Sequence, residues 1–122
     1  MVRTSAPAEP LAARRWRTRR WLVLAPHPDD ETLGAGALIA QTCRSQTFAG
    51  LVFLTDGSGS HPATDGKARR LVAIRAREGA LALSRLTGSR RWKPAHLGRK
   101  DAHPFNAGSV GFKCGVRAVF AL

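Results

Sequence analysis

The 122-residue sequence predicts an α/β fold, a doubly wound parallel sheet with flanking helices. Apolar runs of strand length alternate with helical periodicity in the order strand, helix, strand, helix, strand. Two polar clusters, Pro26-His27-Pro28-Asp29-Asp30-Glu31 and Thr55-Asp56-Gly57, follow directly on the first two strand-like runs. Sheets of this kind bind ligands beyond the carboxyl ends of their strands. Both clusters therefore stand where such a fold keeps its site.

Each element has a local reason. Trp21-Leu22-Val23-Leu24-Ala25 is apolar without polar alternation, the pattern of a strand buried on both faces. Pro26 and Pro28 forbid a helix through the next residues, so the loop begins at Pro26. Asp29 or Asp30 then caps a helix running through Leu33, Ala37, Leu38 and Gln41, with Gly34 and Gly36 allowing close packing on the sheet. A second strand spans Phe48 to Leu54, and a polar, glycine-containing loop continues to about Gly66. Helical periodicity resumes from Lys67 to Leu86, placing Leu71, Ile74, Leu81 and Leu83 near one face and Gly88 as the stop. Ala95-His96-Leu97 is the expected third strand, and residues from Asn106 onward carry too weak a pattern to assign.

Composition narrows the class. The apolar fraction of 43% suits a folded chain, and no apolar run approaches the roughly 20 residues of a membrane span. Twenty Lys and Arg against eight Asp and Glu give a net charge of +12, which raises nucleic-acid binding as a function. The distribution argues against it. Residues 1–20 hold six Arg and one Glu, a flexible basic extension of +5, while the other basic residues are scattered over predicted helices. The domain proper is then 21–122. Cys43 and Cys114 form no C-x-x-C pair and read as reduced thiols of a cytoplasmic protein. The arginines follow the only mildly apolar N-terminal residues, which is not a secretory signal.

The first polar cluster has definite chemistry. An imidazole and adjacent carboxylates on one proline-braced loop form a borderline ligand set suited to Zn²⁺. Two neighbouring aspartates point in different directions, so one can bind metal while the other serves as a base. The bland alternative is an Asp that only caps the helix and a His that is only a polar loop residue.

Pro26 to Glu31 after an apolar strand, Thr55-Asp56-Gly57 after the second, and Arg75-Ala76-Arg77-Glu78 in the following helix together resemble the PIG-L/LmbE-like de-N-acetylases, over roughly residues 21–105. The Leu97-Gly98-x-x-Asp101 segment belongs to the same resemblance. It implies a Rossmann-like fold and zinc-dependent hydrolysis of N-acetyl groups, commonly on N-acetylglucosamine-containing small molecules. Carried over by residue, His27 and Asp30 match zinc ligands and Asp29 matches the general base toward water. Arg75 and Glu78 match the R-x-x-E pair, with Arg75 either a substrate contact or half of a helix-to-loop ion pair. Asp56 orders the metal loop, touches a sugar hydroxyl, or simply forms the Asp-Gly turn. Ser60 and His61 lie on a loop near the site, and the role of Glu31 is open.

One departure stands out. The family takes a third zinc ligand from a later histidine motif such as His-Pro-x-x-His, and none occurs before Leu122. His96 and His103 are the only later histidines, with His103 the candidate substitute. The expectation is an incomplete family domain that is active with a missing C-terminal segment or as a homo-oligomer. The alternatives are a Rossmann-like fragment that binds without catalysis, or a basic nucleic-acid-binding module.

Overall fold

The computed structural model describes residue 10 and residues 14–60, 65–101 and 108–121. The element order is α1 (Arg14–Arg17), β1 (Trp21–Ala25), α2 (Asp30–Arg44), β2 (Phe48–Thr55), a 3₁₀ turn (Ser58–Ser60), α3 (Asp65–Thr87), β3 (Ala95–Arg99) and α4 (Val110–Phe120). The strands form one parallel sheet in the order β1-β2-β3. Leu24 stands opposite Val52 and Ala25 opposite Phe53, while Thr55 stands opposite Arg99. The α/β class, the parallel sheet and its flanking helices are as the sequence predicts, but among the described residues the sheet is not doubly wound, since α2 and α3 pack on one face. Only the short helix α1 falls within the described part of the expected basic extension.

Because successive strands are added in one direction, two right-handed crossovers bring their helices to the same face of the sheet. One core results, built from Val23, Ala25, Ile39, Phe48, Leu51, Phe53 and Leu83, with Leu38, Leu86 and Trp92 packed on it. The phenyl ring of Phe48 meets the Trp92 indole edge-on at 4.8 Å. Gly79 on α3 lets the helix approach Phe53, since a Cβ there would lie 2.8 Å from the ring.

Three details of patterning differ from expectation. On β1, Val23 and Ala25 are buried while Leu22 and Leu24 are exposed, so among the described residues the strand is covered on one face. On α2 the buried line is Glu31, Gly36, Ile39 and Thr42, whereas Leu33 is 86% exposed. Gly36 faces Leu86 of α3, which sets the helix rotation, and a Cβ at Gly34 would meet open space. On α3, Leu83 is in the core, but Ile74 and Leu81 are exposed because the contact runs through Gly79 and Leu83. Helix α4 was not expected at all: Gly111 and Gly115 each cost about 1 kcal/mol of helix propensity and blur its pattern.

Helix α3 ends where predicted, with Gly88 in the left-handed region (φ 67°). No helix among the described residues is long and apolar enough to cross a membrane.

Candidate functional site

The site is assembled at the carboxyl ends of all three strands. β1 stops at Ala25, and the Pro26 carbonyl then accepts both the Thr55 backbone N–H (3.0 Å) and the Thr55 hydroxyl (2.8 Å). That double bond to the end of β2 anchors the loop carrying His27. Asp30, the first residue of α2, folds back over the loop: its Oδ2 accepts the His27 backbone N–H at 3.0 Å and lies 3.0 Å from His27 Nδ1.

Asp29 occupies the N-cap position of α2 but makes no side-chain capping bond, contrary to the expected cap. Its backbone has φ 129° and ψ −30°, a sparsely populated conformation for a residue with a Cβ. Glu31 supplies the compensation. Only 1% exposed, it accepts the Asp29 N–H at 2.8 Å and the Thr32 hydroxyl at 2.9 Å. A carboxylate in the first turn of a helix is further favoured by the helix dipole. The Asp29 side chain is thereby left 62% exposed, with Oδ2 3.9 Å from Arg75 Nη1. Arg75 also donates to the Pro28 carbonyl at 3.4 Å. It lies against Gly57 (φ 68°), where a Cβ would stand 2.9 Å from Arg75 Cδ. The glycine of Thr55-Asp56-Gly57 thus serves both a turn and a close approach.

Asp56 ties the ends of β2 and β3 together. Its N–H donates to the Arg99 carbonyl at 2.8 Å, and its Oδ1 accepts the N–H of Ser58 (2.9 Å) and of Asp101 (3.2 Å). Burial pushes its carboxyl upward, but the hydrogen bonds from Ser58 and Asp101 outweigh it and hold the group below its ordinary range. Of the roles open to Asp56, turn formation and ordering of the neighbouring strand are the ones its contacts serve.

Asp101, just past β3, completes the arrangement. Its Oδ1 is 2.9 Å from His27 Nε2, and its Oδ2 accepts the Gly59 N–H at 3.2 Å. The His27 imidazole is consequently flanked by carboxylates on both ring nitrogens. Desolvation lowers its proton affinity, but Asp30 and Asp101 together reverse the effect and hold the pKa above its ordinary value. His96 takes no part: its ring packs on Phe53 at 5.2 Å, and burial holds it below the ordinary histidine range. Glu78 of the R-x-x-E pair is exposed. His61, His103 and the Ser60 side chain lie outside the described residues.

His27, Asp29, Asp30 and Asp56 stand at the carboxyl edge of the sheet, where the sequence places their two clusters, and α3 brings Arg75 beside Asp29. It gave no role to Glu31 or to Asp101 individually. The signal for Asp101 was its position after the third strand, the same reasoning that singled out the first two clusters.

The arrangement suits a cation. Five of the chain's eight acidic residues (Asp29, Asp30, Glu31, Asp56, Asp101) gather here in a protein of net charge +12. A neutral imidazole has one N–H and one lone pair, so it cannot donate to two carboxylates at once. The second of the two contacts becomes attractive only when a second proton or a metal ion lies between the ring nitrogen and its carboxylate. His27 Nδ1 with Asp30 is a nitrogen and oxygen pair of the kind zinc takes, and it provides two donors where a catalytic zinc site has three from protein. Asp30 and Asp101 approach opposite edges of the ring and cannot meet on one ion. Accordingly, no group of three His, Cys, Asp or Glu among the described residues is arranged to hold a metal.

Comparison with known families gives one match. The family model of the GlcNAc-PI de-N-acetylases, PIG-L, matches residues 22–104, which contain every site residue described above. The chain belongs to the PIG-L family. Among curated proteins and solved structures, none matches it. PIG-L membership makes this a domain of a deacetylase-type hydrolase family, and its α/β architecture agrees with that assignment.

Proposed function

We propose that the chain is a zinc-dependent amide hydrolase that removes an N-acetyl group from an N-acetylglucosamine-like or related small-molecule conjugate. The carrying observation is the division of labour at the amino end of α2. His27 and Asp30 present a nitrogen and an oxygen 3.0 Å apart, while Asp29 beside them is exposed and faces Arg75.

Held by His27 and Asp30, zinc would polarise an amide carbonyl and acidify water near it. Asp29 then accepts a proton from the attacking water. As the acetyl C–N bond breaks, Asp29 returns the proton to the departing amine, so acetate and a free amine are formed. Arg75 directs the Asp29 carboxylate toward the site, and its bond to the Pro28 carbonyl holds the guanidinium in place. Glu31 holds the Asp29 backbone in the conformation that turns the side chain outward. Asp56 acts from behind by ordering the turn under Asp101.

The reading is tested with two variants of the full chain. Asp29→Ala lowers acetate release from N-acetylglucosamine substrates by roughly 10²–10⁴-fold with zinc retained. His27→Ala loses the zinc. A wild-type chain that neither binds zinc nor releases acetate rejects the proposal.

A second reading has its own support. Among the described residues two donors converge where three are usual, which favours a site completed by another copy or by a further segment. Stoichiometric zinc on monomeric chain rejects it, and zinc that appears only with self-association establishes it.

A further inference from the structure

We propose that Asp101 is a positioning residue that holds His27 in its Nε2–H tautomer, so that the Nδ1 lone pair faces Asp30. The inference depends on the hydrolase reading only in taking Nδ1 and Asp30 as the place where the ion is received.

The starting point is the single ring proton of a neutral imidazole lying between two carboxylates, 2.9 Å from Asp101 Oδ1 and 3.0 Å from Asp30 Oδ2. The two acceptors differ. The Asp30 side chain is 41% exposed and already accepts the His27 backbone N–H, so water is at hand for it. The Asp101 side chain is 12% exposed. It is also fixed at both ends, by the Gly59 N–H on Oδ2 and by its own N–H on Asp56. Gly59 is shaped around it, since a Cβ there would stand 2.9 Å from Asp101 Oδ2. A charge-assisted bond to a fixed, poorly hydrated carboxylate is stronger than one to a solvated carboxylate. The ring proton therefore goes to Asp101, and the lone pair turns toward the solvent-accessible side where Asp30 stands.

Such an arrangement has a known physical consequence. A carboxylate on the far nitrogen of a ligating histidine fixes the tautomer and ring orientation and raises the basicity of the nitrogen that binds. Here the carboxylate is contributed from the end of β3 and the histidine from the loop after β1. The ring orientation is thus set across the full width of the sheet, 74 residues away in sequence.

The test uses full-length chain, first stripped of metal. Long-range ¹H–¹⁵N spectra at about pH 8.5, some two units above the ordinary histidine pKa, read the His27 tautomer directly. Wild type shows Nε2–H, and Asp101→Ala moves the proton to Nδ1, where Asp30 accepts it. Zinc affinity, read by competition with a chromophoric chelator, falls about 10–100-fold in Asp101→Ala and in the isosteric Asp101→Asn. Wild-type His27 in the Nδ1–H form overturns the proposal. So does a zinc affinity within twofold of wild type in Asp101→Asn, the variant that serves if Asp101→Ala does not fold. A variant that melts earlier but keeps the wild-type tautomer and zinc affinity assigns Asp101 a purely structural part and also overturns it. Wild-type chain that shows Nε2–H but binds no zinc leaves the tautomer assignment standing and rejects the zinc reading instead.

Discussion

Glu31 gives the sharpest test of how the site is held together. Truncation by Glu31→Ala removes a side chain that is 1% exposed and accepts two hydrogen bonds. The Thr32 hydroxyl is exposed and can turn to water, so its loss costs little. The Asp29 N–H is part-buried, and a bond to a charged acceptor contributes about 1.5–3 kcal/mol. The one buried methylene that is lost, Cγ, adds about 0.8 kcal/mol. Relief from burying a carboxylate and relaxation of the Asp29 backbone offset part of the loss. The net destabilisation is about 2 kcal/mol, a factor of roughly 30 in the unfolding constant. Glu31→Gln retains both bonds, its amide oxygen accepting from Asp29 and its NH₂ donating to Thr32, and loses only about 1 kcal/mol. Urea unfolding followed by tryptophan fluorescence measures both, with Trp92 in contact with the core. The reasoning fails if Glu31→Ala is within 0.5 kcal/mol of wild type (a loss below the low end of the charged-acceptor range), or if the Gln variant is as damaged as the Ala one.

Two further outcomes follow from the packing and the charges. Gly79→Ala drives a Cβ to 2.8 Å from the buried Phe53 ring, and over-packing of about 1–3 kcal/mol outweighs the helix-propensity gain of about 1 kcal/mol. Gly34→Ala on α2 meets open space and gains about 0.5–1 kcal/mol, so equal effects of the two substitutions in one urea series would contradict the helix–sheet contact. In metal-free protein, the raised pKa of His27 gives stability that is full below about pH 6.5 and is lost as pH rises through the higher folded value. His96, lowered by burial, acts in the opposite sense, its stability present above about pH 6.5 and lost as pH falls. The His27→Gln variant isolates the first contribution: wild type loses more unfolding free energy between pH 6 and 8 than the variant, and parallel curves would count against the paired carboxylates.

How much of this was legible depended on range. Pro26 ended β1, Gly88 ended α3 and Gly57 closed the turn after β2, because each acts through its own backbone restrictions. The polar clusters were legible for the same reason, since they interrupt apolar runs at strand ends. Helix rotation was not. Leu33 lies outside while Glu31 lies inside, since Gly36 against Leu86 decides the rotation and hydropathy does not register that contact. Nor was the partner of His27 on Asp101, which arises only once β1 and β3 flank β2 in register. The weak pattern of α4 reflects its two glycines, which lower the local signal without preventing the helix.

The five carboxylates would repel one another if left alone, and the way each is answered separates their functions. Asp30 accepts the His27 N–H, Glu31 the Asp29 N–H, Asp56 the N–H groups of Ser58 and Asp101, and Asp101 the N–H of Gly59. Backbone donors fix the geometry of the acceptor, so these four carboxylates are held in set positions. Among the described residues, Asp29 is the exception: its carboxylate accepts no backbone N–H, stands 62% exposed, and meets Arg75 only at 3.9 Å. On the proposed reading, that looser footing gives the Asp29 carboxylate room to turn toward an incoming water. The strained backbone at Asp29 and the burial of Glu31 beneath it are then parts of one device. They take the N-cap side chain away from its helix and leave it exposed at the edge of the sheet, where the proposed reading puts the base.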